Sequence, residues 1–157
     1  MAAARGLRLD SDVELTRTFS RAQFALGLDS WAWVGIGRRI PLFTSLFGDV
    51  FLESYDGFWW LDTVEGTLRK PWETVEDLNS DLRSAVGQER YLRAALTLDA
   101  ELRGLVPASD EVYGFTNPPA LGGRLEAGNL SVVPFTVRMH NTGQMYGWLR
   151  QAPSGSA

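Results

Sequence analysis

Three β-prone runs between Val50 and Lys70 are separated by two short turn signals, and few folds accommodate that pattern. The first run, Val50 to Tyr55, ends at Asp56-Gly57, and Phe58 to Val64 follows at once. An Asp-Gly pair between two such runs signals a hairpin, because a type I′ turn needs positive φ at both central residues. Glu65-Gly66 marks a second turn, into Thr67 to Lys70. The chain is therefore expected to build a three-stranded antiparallel meander over about residues 49–70. A two-residue loop at Asp56-Gly57 sets Tyr55 opposite Phe58, Glu53 opposite Trp60 and Leu52 opposite Leu61. Side chains alternate along a strand, so Val50, Leu52, Trp59 and Leu61 share the face expected to be core. The other face carries Phe51, Glu53, Tyr55, Phe58, Trp60 and Asp62, a mixture of aromatics and acids.

Helical signals flank the meander. Ser11-x-x-Glu14 has the capping-box pattern and predicts a helix from Asp12 to about Leu26, ended by Gly27. Gly35-Ile36-Gly37 and Pro41 break any long element, and Pro41 to Phe47 reads as a short helix or turn. Thr74-x-x-Asp77 opens a helix with Val75, Leu78, Leu82 and Val86 on one side, stopped by Gly87. Tyr91, Ala95, Leu98 and Leu102 recur at helical spacing in a second, ended by Gly104 and Pro107. Glu111 to Phe115 and Leu130 to Val133 read as strands, with an extended turn forced by Asn117-Pro118-Pro119 between them. Phe135, Met139, Tyr146 and Leu149 place a last helix at about 135–150. The fold class is α+β: an antiparallel sheet built on the meander, with helices packed on one face. A chain of 157 residues without repeat or linker suits one domain over 1–157, with about 1–10 and 153–157 expected to be disordered.

Composition narrows the chemistry. There is no Cys, which removes disulfides, a thiolate nucleophile and Cys-based zinc sites. The net charge of −4 has the wrong sign for direct nucleic-acid binding and the right sign for a basic protein partner. No run approaches the ~20 apolar residues of a membrane span, and Met1 to Arg8 lacks the apolar core of a signal peptide; a cytoplasmic protein is expected. His140 is the only His, with no metal-ligand spacing around it and no Gly-x-Ser-x-Gly elbow in the chain. Gly35-x-Gly37 precedes Arg38-Arg39 but lacks the third glycine and the Lys-Ser/Thr of phosphate-binding loops. The meander acids Asp49, Glu53, Asp56, Asp62 and Glu65 have the chemistry for acid–base work or cation binding, but no calcium-loop spacing. No catalytic residue, metal or cofactor is assigned, and a non-enzymatic protein is expected. An enzyme or ligand binder using His140 and these carboxylates is the lesser reading. Aromatics ringed by charge are typical of interface hot spots, so Glu53, Tyr55, Trp60, Asp62 and Glu65 are the candidate partner-binding residues.

Three blocks in a fixed order carry a resemblance. They are Phe47-Gly48-Asp49-Val50-Phe51 with Trp60-Leu61-Asp62-Thr63-Val64-Glu65-Gly66-Thr67, then Pro119-Ala120-Leu121-Gly122-Gly123, then His140-x-x-Gly143-Gln144-Met145-Tyr146. Over about residues 40–152 the chain resembles the C-terminal domain of type VI secretion immunity proteins, the family paired with a secreted DNase effector in Agrobacterium. In many members that domain follows a GAD-like domain, for which the N-terminal ~30 residues are expected to be too short. The family's last block typically ends Gly-Gln-Leu-His, whereas Tyr146 holds the final place here. The resemblance implies an immunity protein in the producing cell's cytoplasm that neutralises a cognate toxin, often a basic nuclease, by stoichiometric occlusion. A general interaction or regulatory module without a toxin partner is the alternative.

Overall fold

The computed structural model describes residues 6–8 and 13–151. Five strands form one antiparallel sheet in sequence order: β1 (Thr16–Arg17), β2 (Ile40–Ser45), β3 (Val50–Ser54), β4 (Gly57–Asp62) and β5 (Thr67–Trp72). A separate antiparallel pair joins β6 (Glu111–Phe115) to β7 (Leu130–Pro134). The helices are α1 (Arg21–Asp29), α2 (Val75–Arg83), α3 (Ala85–Leu92), α4 (Ala94–Leu102) and α5 (Phe135–Gln151). The expected α+β class and its meander are present.

The hairpin register differs from expectation by two residues. Ser54 pairs with Gly57, Glu53 with Phe58 and Phe51 with Trp60, so the turn residues are Tyr55 and Asp56. Asp56 is fixed there by the Trp59 indole, which donates to its carboxylate at 3.0 Å. Gly57 is used elsewhere: with φ +140° it lets the end of β5 approach, and a Cβ on it would lie 2.6 Å from the Trp72 carbonyl oxygen. A shift of two conserves parity, so the two faces keep their expected composition.

Helices cover both faces of the sheet rather than one, because both are apolar. On one face Phe51, Phe58, Trp60 and Trp72 pack against Leu78 and Leu82 of α2 and Tyr91 of α3. On the other, Val50, Leu52 and Leu61 meet Phe24 of α1 and Phe135, Met139 and Tyr146 of α5. Of the aromatics on the mixed face, Phe51, Phe58 and Trp60 are anchors of the first layer, and Tyr55 is not.

Other elements begin or end where local bonds dictate. Residues 13–20 are not helical: Thr16 and Arg17 pair with Ser45 and Thr44 at the sheet edge, and Leu15 is fully buried. The helix starts instead at the Ser20–Gln23 capping box, with both reciprocal bonds made. Ser11 and Asp12, which carried the expected start, lie outside the described residues, as do 1–5, 9–10 and 152–157, where most of the expected terminal disorder falls. Pro41 sits in strand β2, not in a helix or turn. β1 reaches only Thr44 and Ser45, so β2 has an open edge at Pro41, where its missing N–H is tolerated. The region 74–102 holds three short helices rather than two. Thr74 caps the first as expected, accepting from Asp77 N at 3.1 Å. Ser84 then breaks the run and caps α3 through Gly87 N, so Gly87 lies inside a helix instead of stopping one. Arg93 breaks it again in a left-handed conformation, φ 51° and ψ 54°.

A buried ion cluster and a candidate partner-binding surface

The meander scatters the five candidate contact residues. Trp60 is only 6% exposed and stands edge-on to Tyr91, ring centroids 4.8 Å apart. Asp62 is 5% exposed. Neither offers a surface for a partner, a correction whose cause is the helix layer of α2 and α3. Glu53, Tyr55 and Glu65 are exposed, and Tyr55 completely so. Glu53 and Tyr55 sit at the β3–β4 turn, whereas Glu65 is at the β4–β5 turn, the opposite end of β4. They form no single patch with Trp60 and Asp62.

Two of the five acids weighed for chemistry, Asp49 and Asp62, are committed to an interior ion cluster. Asp49, fully buried, accepts from Thr63 N at 2.8 Å, Thr63 Oγ1 at 2.7 Å, Ser45 Oγ at 2.9 Å and Arg93 Nη1 at 2.9 Å. Asp62 accepts from Val64 N at 3.0 Å, Glu65 N at 3.2 Å and Arg93 Nη2 at 3.4 Å. Arg138 of α5 completes the cluster, donating from Nε to Phe47 O at 2.8 Å and from Nη2 to Thr63 Oγ1 at 3.1 Å. Two carboxylates and two guanidiniums thus balance in a space largely closed to water. Burial, with Asp49 alongside, pushes the Asp62 carboxyl up, and Arg93 pulls against it. Burial would lower Arg93, but Asp49 and Asp62 outweigh it and hold the guanidinium above its ordinary range. Burial brings Arg138 down to about 10 despite the attraction of Asp49. The left-handed backbone of Arg93 is the only positive-φ non-glycine among the described residues. Residues in such conformations persist when surrounding contacts over-determine them, and here two ion pairs do so.

Four bonds saturate Asp49, so it has no free oxygen lone pair to serve as a base. His140 is exposed on α5, away from the interior where Asp49 and Asp62 lie. That separation removes the basis for pairing His140 with these acids. No group of His, Asp and Glu with metal-holding geometry occurs among the described residues.

The outer side of α5 offers a different surface. A cavity of about 210 Å³ opens between α5 and the β6–β7 pair, walled by Phe115, Pro118, Val133, Val137 and Met145. Val137, Asn141, Met145 and Trp148 fall at helical spacing along one side of α5, and Trp148 is 69% exposed. An exposed Trp beside an apolar hollow matches the anchors that interfaces favour. The sequence places this helix, but its spacing singles out the buried side, Phe135, Met139 and Tyr146, and not the outer one.

Arg93 and Arg138 were also missed. Arg138 had a readable signal: it lies three residues after Phe135, among the positions facing the core, where a charge demands a partner. Arg93 had none, since its role depends on a helix break invisible in the spacing.

Residues 73–148 match the family model of the T6SS immunity protein Tdi1, C-terminal. This is the family that the three blocks resemble; the second and third blocks fall inside the match, and the first precedes it. The crystal structure of Atu4351 from Agrobacterium tumefaciens is similar at 19% identity and a TM-score of 0.49, over 78% of this chain and 62% of that one. This chain therefore spans less than two-thirds of that protein's length. No curated protein matches the sequence.

Proposed function

We propose that this chain, which over residues 73–148 carries the C-terminal pattern of a type VI secretion immunity family, binds a cognate secreted toxin and neutralises it by stoichiometric occlusion. The family match is the observation that carries the reading. The interior supports a binding role over a catalytic one, because Asp49 and Asp62, the two buried meander acids, are locked into structural ion pairs. No described helix is long and apolar enough to cross a membrane. An excess of acidic groups would attract a basic toxin such as a nuclease, raising on-rate and specificity more than affinity.

Of the sequence-based contact residues, Glu53, Tyr55 and Glu65 stay in the proposal. Tyr55 is the natural anchor, exposed at a turn tip and flanked by Glu53 and Asp56. The test is titration calorimetry with the product of the adjacent gene, using wild type, Tyr55→Ala and Glu53→Lys. Stoichiometric binding near nanomolar (roughly −12 kcal/mol) that inhibits the partner is expected. Loss of an interface aromatic should weaken it by about tenfold or more. No complex with that product sinks the immunity reading, whereas unchanged affinity in both variants sinks only the turn as the contact.

A further inference from the structure

Against an overall acidic chain, one hollow is basic. A cavity of about 330 Å³ lies between β5 and α3, lined by Trp60, Arg69, Lys70, Pro71, Arg90 and Tyr91. Arg69 pairs with Trp60 across the β4–β5 ladder, so the cation stands beside the indole. Arg90 lies over the Tyr91 ring, 5.5 Å from its centroid. Both Arg69 and Arg90 are exposed, and among the described residues neither is in a salt bridge. Lys70 is paired with Glu73 at 3.1 Å and is partly neutralised. Asp81 also acts on Tyr91, but the Trp72 indole donates to its Oδ2 at 2.9 Å.

The floor of the hollow is aromatic. Trp60 is more than nine-tenths buried, and its Nε1 has no hydrogen-bond partner. The indole lies T-shaped against the Tyr91 ring, centroids 4.8 Å apart, so the two rings give the arginines a packed aromatic floor. Unpaired guanidiniums prefer carboxylate and phosphate oxygens, which they bind with two parallel donors.

We propose that the hollow between β5 and α3 is an oxyanion site, in which Arg69 and Arg90 bind a phosphate or carboxylate group beside the Trp60 and Tyr91 rings. The site is independent of the toxin reading and stands if that reading fails. Tyr91, itself buried, forms one wall of the hollow.

The test follows the indole N–H signals of the ¹⁵N-labelled full chain by nuclear magnetic resonance, with the Trp60 signal assigned from Trp60→Phe. Inorganic pyrophosphate and glutarate are titrated separately up to tens of millimolar. The expected result is a saturable shift of the Trp60 signal, weakened at least tenfold in the Arg69→Ala/Arg90→Ala double variant and unchanged in Arg103→Ala. Tighter pyrophosphate binding assigns the site to phosphates, and tighter glutarate binding assigns it to carboxylates. No saturable shift with either anion, or a shift that persists in the double variant, overturns the proposal. Both substituted arginines are exposed, so the variants should fold, and the other indole signals report whether they do.

Discussion

The ring of Tyr146 occupies the space that a side chain on Gly66 would need: a Cβ there would lie 2.6 Å from the ring. The Tyr146 hydroxyl also donates to the carbonyl of Val64, so α5 is pinned to the β4–β5 turn at two points. Gly66 has φ +73°, a conformation that a side chain makes costly on its own. Gly66→Ala should therefore destabilise by about 2–4 kcal/mol, as strain adds to overpacking. Tyr146→Phe keeps the ring and loses one hydrogen bond, for about 1 kcal/mol. Urea denaturation of both variants checks the ordering, and an equal loss would contradict it.

Removal of Arg93 should be far more damaging than removal of an exposed arginine. Arg93→Ala leaves Asp49 and Asp62 buried beside each other with their bridging cation gone. Breaking a buried pair from one side costs about 3–5 kcal/mol. Arg103→Ala, which loses only a surface pair with Asp99, should change stability by less than about 1 kcal/mol. Thermal melts of the two variants give the comparison.

The raised pKa of Asp62 makes stability depend on pH in a definite sense. Its folded pKa lies above the ordinary value of 3.8, so in that window the folded state binds more protons than the unfolded. This contribution is fully present below about pH 3.8 and is lost as pH rises through the folded pKa. Asp62→Asn keeps an acceptor for Val64 and Glu65 but does not ionise. The stability of Asp62→Asn relative to wild type should therefore improve from pH 4 toward neutrality, read from urea midpoints across that range. A difference that stays flat with pH would mean that Asp62 does not titrate above its ordinary value.

Trp60→Ala is a stability variant before it is a binding variant. Removing an indole packed among Phe51, Trp72 and Tyr91 should cost about 3–5 kcal/mol. Tyr55→Ala, at a fully exposed position, should stay within about 0.5 kcal/mol of wild type. Circular dichroism melts establish this, and any loss of partner binding by Trp60→Ala has to be read against them.

Close approach of α1 to α5 gives a fifth test. A Cβ on Gly143 would lie 2.3 Å from Ser30 Oγ and 2.8 Å from the Ser30 carbonyl oxygen. Gly143→Ala should cost about 2 kcal/mol or more through overpacking. Adding Ser30→Ala removes the hydroxyl but leaves the carbonyl in place, so rescue should be partial. Full rescue in the double variant would show that the backbones can separate freely.

The meander was legible because glycines and alternation act locally. The faces came out correctly even though the turn was misplaced by one residue, since a two-residue register shift preserves parity. The role of the second face was not legible: Phe51 and Trp60 look the same whether a partner or α2 and α3 cover them. Asp62 misled for a related reason, as its partner Arg93 lies 31 positions away on a helix break. The exposure of Tyr55 and Glu53 was readable, because both lie at a turn. It was not readable at Arg69 and Arg90, which come together only when α3 packs beside β5.

The ion cluster also has a direction in time. Both of its carboxylates belong to the meander, and both of its cations come from later in the chain, at the end of α3 and in α5. During synthesis the sheet emerges with two acids that it has no means of neutralising. Arg93 balances one charge, and only when residue 138 arrives is the second guanidinium in place. A chain cut before α5 would lose more than a helix: its sheet would retain an interior with surplus negative charge, open to water and to proteolysis. Arrival of α5 and electroneutrality of the core are, in this protein, the same event.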